Sequence, residues 1–312
     1  MYVLKKTTKA ELKRVQTTIK KELASEKIIQ EIYEYIFNAE GKKTRALLCL
    51  LASKSQDKKS KNRVNLASII ELLHTATLVH DDVVDGASER RGRSSAHLEF
   101  GNAATILSGD FCLARAMLLA SEEGGGRAAQ ELARAVTEMA EGEVMQLRWA
   151  GDLTCDVQTY LQWIERKSAA LISWCVAAAA WSNDDVVLAE ALAAFGRGVG
   201  IAFQITDDVL DYRSGTGKKA GTDLRQRKVT LPLLMAMERD GDIRAVLEKG
   251  EPDDATLDIL MSRIEHTGAL EDALQNARNL VEAASARLKV LPTGDGRDAL
   301  IVLGRYLVER VS

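Results

Sequence analysis

Two stretches of the chain end in the same acidic pattern. Asp81, Asp82 and Asp85 close one apolar run, and Asp207, Asp208 and Asp211 close another. In each, the first and third aspartates are four residues apart and share one helix face. A helix C-terminus carries partial negative charge and favours cations, so carboxylates there call for something positive. Paired oxygen ligands on adjacent turns suit a hard divalent cation. Mg²⁺ in particular binds through a few carboxylates and keeps waters or substrate phosphate oxygens as its other ligands. His74 and Leu78 lie on the stripe of Asp81, and Gln204 lies on the face of the second cluster. Arg90 and Arg91 follow the first cluster directly, as a metal-bound phosphate ester would require. Lys218, Lys219 and Lys228 follow the second among Gly215, Gly217 and Gly221, the composition of a flap that closes over phosphates. A lone acidic helix end also reads as a solvated surface. Recurrence with identical spacing favours a symmetric metal clamp, because unpaired carboxylates at close range repel by roughly several kcal/mol.

Two further basic positions could serve an anion. At Gly41 a helix opens with Lys42, Lys43 and Arg45 in its first turns, where free backbone N–H groups and cations together make an anion site. The plainer reading is a basic surface turn. Lys167 heads the apolar stretch TYLQWIERKSAALISWCVAAAAW. It either snorkels to the surface or is aimed at an anion in a cavity.

The elements that must carry these residues read as helices. Residues 9–39 give two short amphipathic helices with apolar positions at Val15, Ile19 and Leu23, then Ile28, Ile32 and Ile36. SKSQDKKSKNR, 53–63, reads as an exposed loop, and Ala96 to Leu119 as a buried helix that SEEGGGR then breaks. Residues 128–150 form a helix carrying Glu141, Glu143 and Gln146. With 312 residues the chain can bury a sizeable core, and three prolines with 5% aromatics point to long helices. A net charge of -3 gives no global basic field for nucleic acid or anionic membrane. Four scattered cysteines without CxxC spacing read as reduced cytosolic thiols. The N-terminus has no signal-peptide core, and the longest apolar run, Ala169 to Trp181, is too short to span a bilayer. A cytoplasmic protein without a transmembrane segment is the expectation.

The motifs GKKTR, ELLHTATLVHDDVVD, RRG, GDFCLARA, AEGEVMQL, KSA, FQITDDVLDY, GKKAGTDL and KVTLPLL run through nearly the whole chain. In this order they closely resemble the trans-isoprenyl diphosphate synthases, in particular the long-chain, octaprenyl type. The resemblance implies an all-α fold, one large helical bundle over residues 1–312 around a deep central cavity, and a homodimer. It implies that Asp81, Asp82, Asp85, Asp207, Asp208 and Asp211 hold Mg²⁺ against an allylic diphosphate. Arg90, Lys167, Gln204, Lys218 and Lys228 would contact that substrate, while Lys42, Arg45, His74 and Arg91 would bind isopentenyl diphosphate. Asp81, Asp85, Asp207, Lys167 and Gln204 would be the catalytic residues.

The chain departs from the family pattern at Lys43 and Ala46, where GKRxRP is usual, at Arg227, where glycine is common, and at His97, where asparagine is usual. Lysine in place of arginine loses a bidentate fork, which bears on isopentenyl diphosphate affinity. The implied chemistry is departure of diphosphate, attack of the isopentenyl double bond on the allylic cation, and proton loss, with water excluded. Ala76 and Thr77, one turn and slightly more before Asp81, are small where short-chain members carry aromatics. The resemblance then implies a product of about eight isoprene units, in a range of roughly seven to ten; each helical turn is about 5.4 Å, so a side chain at these positions meets the tail soon after it leaves the metal site. Leu73, Ile70 and Ile69, with Phe111 or Met117, would wall the tunnel further down. Alternatives are a shorter-chain farnesyl or geranylgeranyl diphosphate synthase, a terpene cyclase, a non-catalytic subunit of a heteromeric synthase, and a metal-buffering helical scaffold. The two intact DDxxD motifs and their basic neighbours disfavour the last three.

Overall fold

A computed structural model describes residues 2–37, 43–56, 62–90, 92–213 and 221–309. The described chain is all-α, as expected. Its helices in order are α1 (Tyr2–Glu22), α2 (Lys27–Phe37), α3 (Thr44–Lys54), α4 (Arg63–Val84), α5 (Ala96–Phe100), α6 (Asn102–Leu119), α7 (Gly125–Arg148) and α8 (Val157–Ile164). They continue as α9 (Ala170–Ser182), α10 (Val186–Asp211), α11 (Thr222–Arg225), α12 (Leu231–Arg239), α13 (Gly241–Leu247), α14 (Asp254–His266), α15 (Ala269–Ser285) and α16 (Asp295–Glu309). Among the described residues the only sheet is a hairpin of two-residue strands, β1 (Glu89–Arg90) and β2 (Arg93–Ser94). The chain divides into two compact units.

The first unit comprises Met1–Ala133, Cys175–Glu190 and Leu291–Leu300. Its centre is α4, which α1, α3 and α6 pack against. Ile69, Ile70, Leu72, Leu73 and Val79 of α4 are buried with Cys112, Ala116 and Leu119 of α6. Each such aliphatic side chain contributes roughly 1.5–3 kcal/mol on burial. Glu11 on α1 ties this core to α3 and α4 through Lys54 and Arg63.

The second unit comprises Arg134–Trp174, Ala191–Val290 and Ile301–Ser312. Here α12 packs on α8, α13, α14 and α15. Side-chain caps start several of its helices: Asp156 accepts from Thr159 N at α8 and Asp253 from Thr256 N at α14.

Three local expectations are corrected. Ala96 to Leu119 is two helices broken at Gly101, which takes φ 81°, and it is not buried all round: Leu98, Ile106, Leu107 and Leu118 are exposed. The SEEGGGR segment does not end the helical path, because a π turn over Ala120–Gly124 leads into α7 and Gly125 alone takes a positive φ. At the start of the polar run, Ser53, Ser55 and Gln56 are buried at the end of α3 and bond back to the carbonyls of Cys49 and Ala52, while Lys54 between them is exposed. The helical stretches Asn102–Arg148 and Val186–Asp211 are long and apolar enough to cross a membrane by length and composition, a property that core helices share.

Candidate active site

In the first unit the acid cluster sits at the C-terminal end of α4, with Asp85 as its C-cap and Asp85 N bonded to Asp81 O at 2.8 Å. The three carboxylates differ in setting. Asp81 is half-buried and Asp85 exposed, whereas Asp82 is only 4% exposed. A step of about 100° per residue turns Asp82 off the stripe shared by its neighbours and into the protein. There the Arg90 guanidinium reaches Asp82 Oδ1 through Nε and Nη2, each at 2.5 Å. Burial pushes the Asp82 carboxyl above its ordinary pKa, and Arg90, with a smaller contribution from His97, opposes that rise without cancelling it. Arg90 is delivered by the β1–β2 hairpin, whose register pairs it with Arg93.

Arg45 and His74 also meet in this unit. Arg45 Nη1 lies 3.0 Å from His74 Nε2. The N-terminus of α3 that carries Arg45 is fixed by Glu71, whose Oε1 accepts from Ala46 N at 3.0 Å, and by Cys175 Sγ, which donates to Arg45 O at 2.9 Å. Lys43 caps α3 in the left-handed region at φ 48°, and burial draws its ammonium pKa below the usual value against the opposing charge of Glu71. Lys42 and Arg91, expected beside these residues, lie outside the described residues.

In the second unit the second cluster ends α10 in a parallel way. Asp207 and Asp211 are half-buried, and Asp208 is 6% exposed. Both oxygens of Asp208 accept hydrogen bonds: Oδ2 from Tyr160 OH at 2.7 Å and Oδ1 from Gln204 Nε2 at 2.8 Å. Burial, helped by the negative charge of Asp223, pushes the Asp208 carboxyl up to about 8 despite those two donors. A cation nearby would draw it back down. Asp211 receives α11, its Oδ2 accepting from Asp223 N at 2.9 Å and its carbonyl from Gly221 N at 2.7 Å.

The basic residues of this unit are held by local acids. Lys167 Nζ lies 2.6 Å from both Glu143 Oε2 and Gln146 Oε1. Lys228 pairs with Asp223 at 3.8 Å. Lys218 lies outside the described residues. Ser168 Oγ donates to Gln204 Oε1 at 2.6 Å, which orients that amide so that its nitrogen faces Asp208. Arg227 adopts φ 52°, a left-handed conformation that favours glycine. The strain of about 1 kcal/mol is offset where Arg227 bonds Gly151 in both directions, Nη2 to Gly151 O and Gly151 N to Arg227 O.

Among the described residues no group of three or more His, Cys, Asp or Glu side chains stands ready to hold a metal ion. The donor set nevertheless fits Mg²⁺. Each helix end offers two solvent-reachable carboxylates one turn apart, all hard oxygen donors, and such a site binds its ion with substrate phosphates rather than in an all-protein cage. Tyr160, Ser168 and Asp223 carry no sequence signal of their own. Ser168 and Asp223 did fall inside quoted motifs, KSA and GKKAGTDL.

The model of the family described as Polyprenyl synthetase matches residues 26–263. Octaprenyl diphosphate synthase of Haemophilus influenzae is 36% identical, over 98% of this chain and 96% of that protein. An all-trans-nonaprenyl-diphosphate synthase of Rhodobacter capsulatus is 35% identical, over 91% and 90%. Among solved structures, polyprenyl synthase of Caulobacter crescentus, complexed with calcium and isoprenyl diphosphate, superposes with a TM-score of 0.93 at 37% identity, covering 99% of this chain and 97% of that one.

Proposed function

We propose that this chain, which belongs to the polyprenyl synthetase family, condenses isopentenyl diphosphate head to tail onto an allylic diphosphate and stops at about eight isoprene units, as its octaprenyl relatives are named to do. It is a prenyltransferase. The reading takes residues 1–312 as one functional domain, active in the cytoplasm, whose all-trans product becomes a lipid tail such as a quinone side chain.

Asp81, Asp82, Asp85, Asp207, Asp208 and Asp211 are assigned to Mg²⁺, with Asp82 and Asp208 anchored in the protein behind their more accessible neighbours. The ion supplies Lewis-acid stabilisation of the diphosphate leaving group. Arg90, Lys167, Gln204, Lys218 and Lys228 bind and orient the allylic diphosphate, and Lys42, Arg45, His74 and Arg91 bind isopentenyl diphosphate. The cationic side chains stabilise charge as it develops on the departing oxygen. The apolar helix beneath each cluster keeps water away from the allylic cation.

The observation that carries the chain-length reading is on α4. Thr77 is half-buried one turn before Asp81 on the same stripe, its hydroxyl turned back onto His74 O at 2.9 Å, and Ala76 beside it is 2% exposed. Neither presents a bulky group to a tail growing past Asp81. A homodimer is supported by the outward-facing Leu98, Leu107 and Leu118 in the first unit. The test is incubation of the purified chain with Mg²⁺, farnesyl diphosphate and labelled isopentenyl diphosphate, followed by sizing of the products. A ladder ending near eight units supports the reading, and a product that stops at three or four selects the shorter-chain alternative.

A further inference from the structure

The helix that carries Lys167 is interrupted. Between α8 and α9 lies a π turn over Glu165–Ala169, wider than the α-helix by one residue per turn. Two glycines accommodate it. A Cβ on Gly142 would come within 2.4 Å of Lys167 N, and one on Gly200 within 2.5 Å of Ala169 Cα, so α7 and α10 each approach the turn to backbone contact. On the α10 side this contact sits at the middle of the helix, and a second fixed point lies near its end. There Tyr160, on α8 and 1% exposed, donates its hydroxyl to Asp208 Oδ2 at 2.7 Å while its ring packs edge-on to Trp163 at 5.4 Å.

The last turn of α10 needs such a fixed point. Three aspartates at a helix C-terminus repel one another and oppose the macrodipole, and helix ends fray. Gln204, on the same helix as Asp208, reaches outside α10 through Ser168 of the π turn, and Asp211 is joined to α11. Tyr160 holds Asp208 directly from α8, which belongs to the packed core of the unit, where it meets α12.

We infer that Tyr160 is a positioning residue for the second acid cluster: by holding the buried Asp208 from α8, it sets the rotation of the last turn of α10 and so the direction in which Asp207 and Asp211 present their carboxylates. Tyr160 acts through Asp208. The inference rests on the assignment of Asp207 and Asp211 to Mg²⁺ made above.

Tyr160→Phe removes one oxygen and keeps the ring, so packing against Trp163 survives. The experiment titrates Mg²⁺ with inorganic pyrophosphate into wild type, Tyr160→Phe, Asp208→Asn and the double variant by calorimetry, alongside melting in EDTA and steady-state kinetics. The inference expects Tyr160→Phe to weaken Mg²⁺–pyrophosphate binding about tenfold or more, the usual cost of losing an orienting partner of a metal ligand. The Michaelis constant for the allylic primer should rise with it while that for isopentenyl diphosphate stays put, and excess Mg²⁺ should restore turnover. In the Asp208→Asn background the same substitution should add little, because the two act through one contact. A Tyr160→Phe variant that melts lower yet binds Mg²⁺ and pyrophosphate like wild type overturns the inference and leaves the hydroxyl a structural one. Equal, additive losses in both backgrounds overturn it too. If wild type itself binds no Mg²⁺ with pyrophosphate, the metal assignment beneath the inference fails instead.

Discussion

Arg45 Nη1 donates to His74 Nε2 across 3.0 Å. A guanidinium has no acceptor, so the imidazole must accept at Nε2 and carry its proton on Nδ1. The pair joins the start of α3 to the middle of α4, and it unites two residues assigned to isopentenyl diphosphate.

Arg45→Ala should therefore raise the Michaelis constant for isopentenyl diphosphate by about tenfold to a hundredfold, the worth of a charge-assisted hydrogen bond. That for the allylic primer should hardly change. Steady-state kinetics with each substrate varied in turn checks this, and equal effects on both would contradict the assignment.

The tail prediction follows from α4. Thr77→Phe places an aromatic ring about one turn, 5.4 Å, below Asp81 and should shorten the product to about three or four isoprene units without stopping the first condensation. Ala76→Phe carries the same expectation with an added stability cost of about 1–3 kcal/mol, because Ala76 is buried. Product sizing by chromatography decides, and an unchanged distribution in both variants would sink the argument.

A third prediction concerns stability alone. Burial raises the Glu11 carboxyl pKa, but hydrogen bonds and charge from Lys54 and Arg63 outweigh it and leave the net value below the usual one. A carboxyl depressed in the folded state stabilises at pH above its unfolded pKa, and that stability is lost as pH falls through the folded value. Glu11→Gln should cost about 1.5–3 kcal/mol near neutrality. Melting curves of the two proteins should converge on acidification below the ordinary carboxylate range. A gap independent of pH would show that the ion pairs are not its source.

Helix type and the acid stripes were legible in the sequence because both depend on local spacing. Apolar periodicity marked α1, α2 and α4, and the four-residue interval placed Asp81 with Asp85 and Asp207 with Asp211. What stayed hidden depends on contacts between distant segments. The π turn at Lys167 exists where Gly142 and Gly200 let other helices approach, and no local pattern announces it. The engagement of Asp82 by Arg90 and of Asp208 by Tyr160 is likewise a matter of packing. The left-handed φ at Arg227 gives a physical reason for the glycine that the resemblance led one to expect there. At Ala46, where proline is usual, the backbone N–H donates to Glu71, a bond proline could not make; for Lys43 and His97 the structure supplies no comparable reason.

The central claim is that each acid cluster is needed to activate the allylic diphosphate, and turnover of Asp81→Ala and Asp207→Ala at saturating substrates and Mg²⁺ tests it most directly. Both substitutions remove an accessible carboxylate from a helix C-terminus, where its loss should leave the fold intact and even relieve repulsion. The account predicts that each lowers incorporation of labelled isopentenyl diphosphate by about a thousandfold, with melting temperature unchanged or raised. Wild-type turnover in either variant would contradict it.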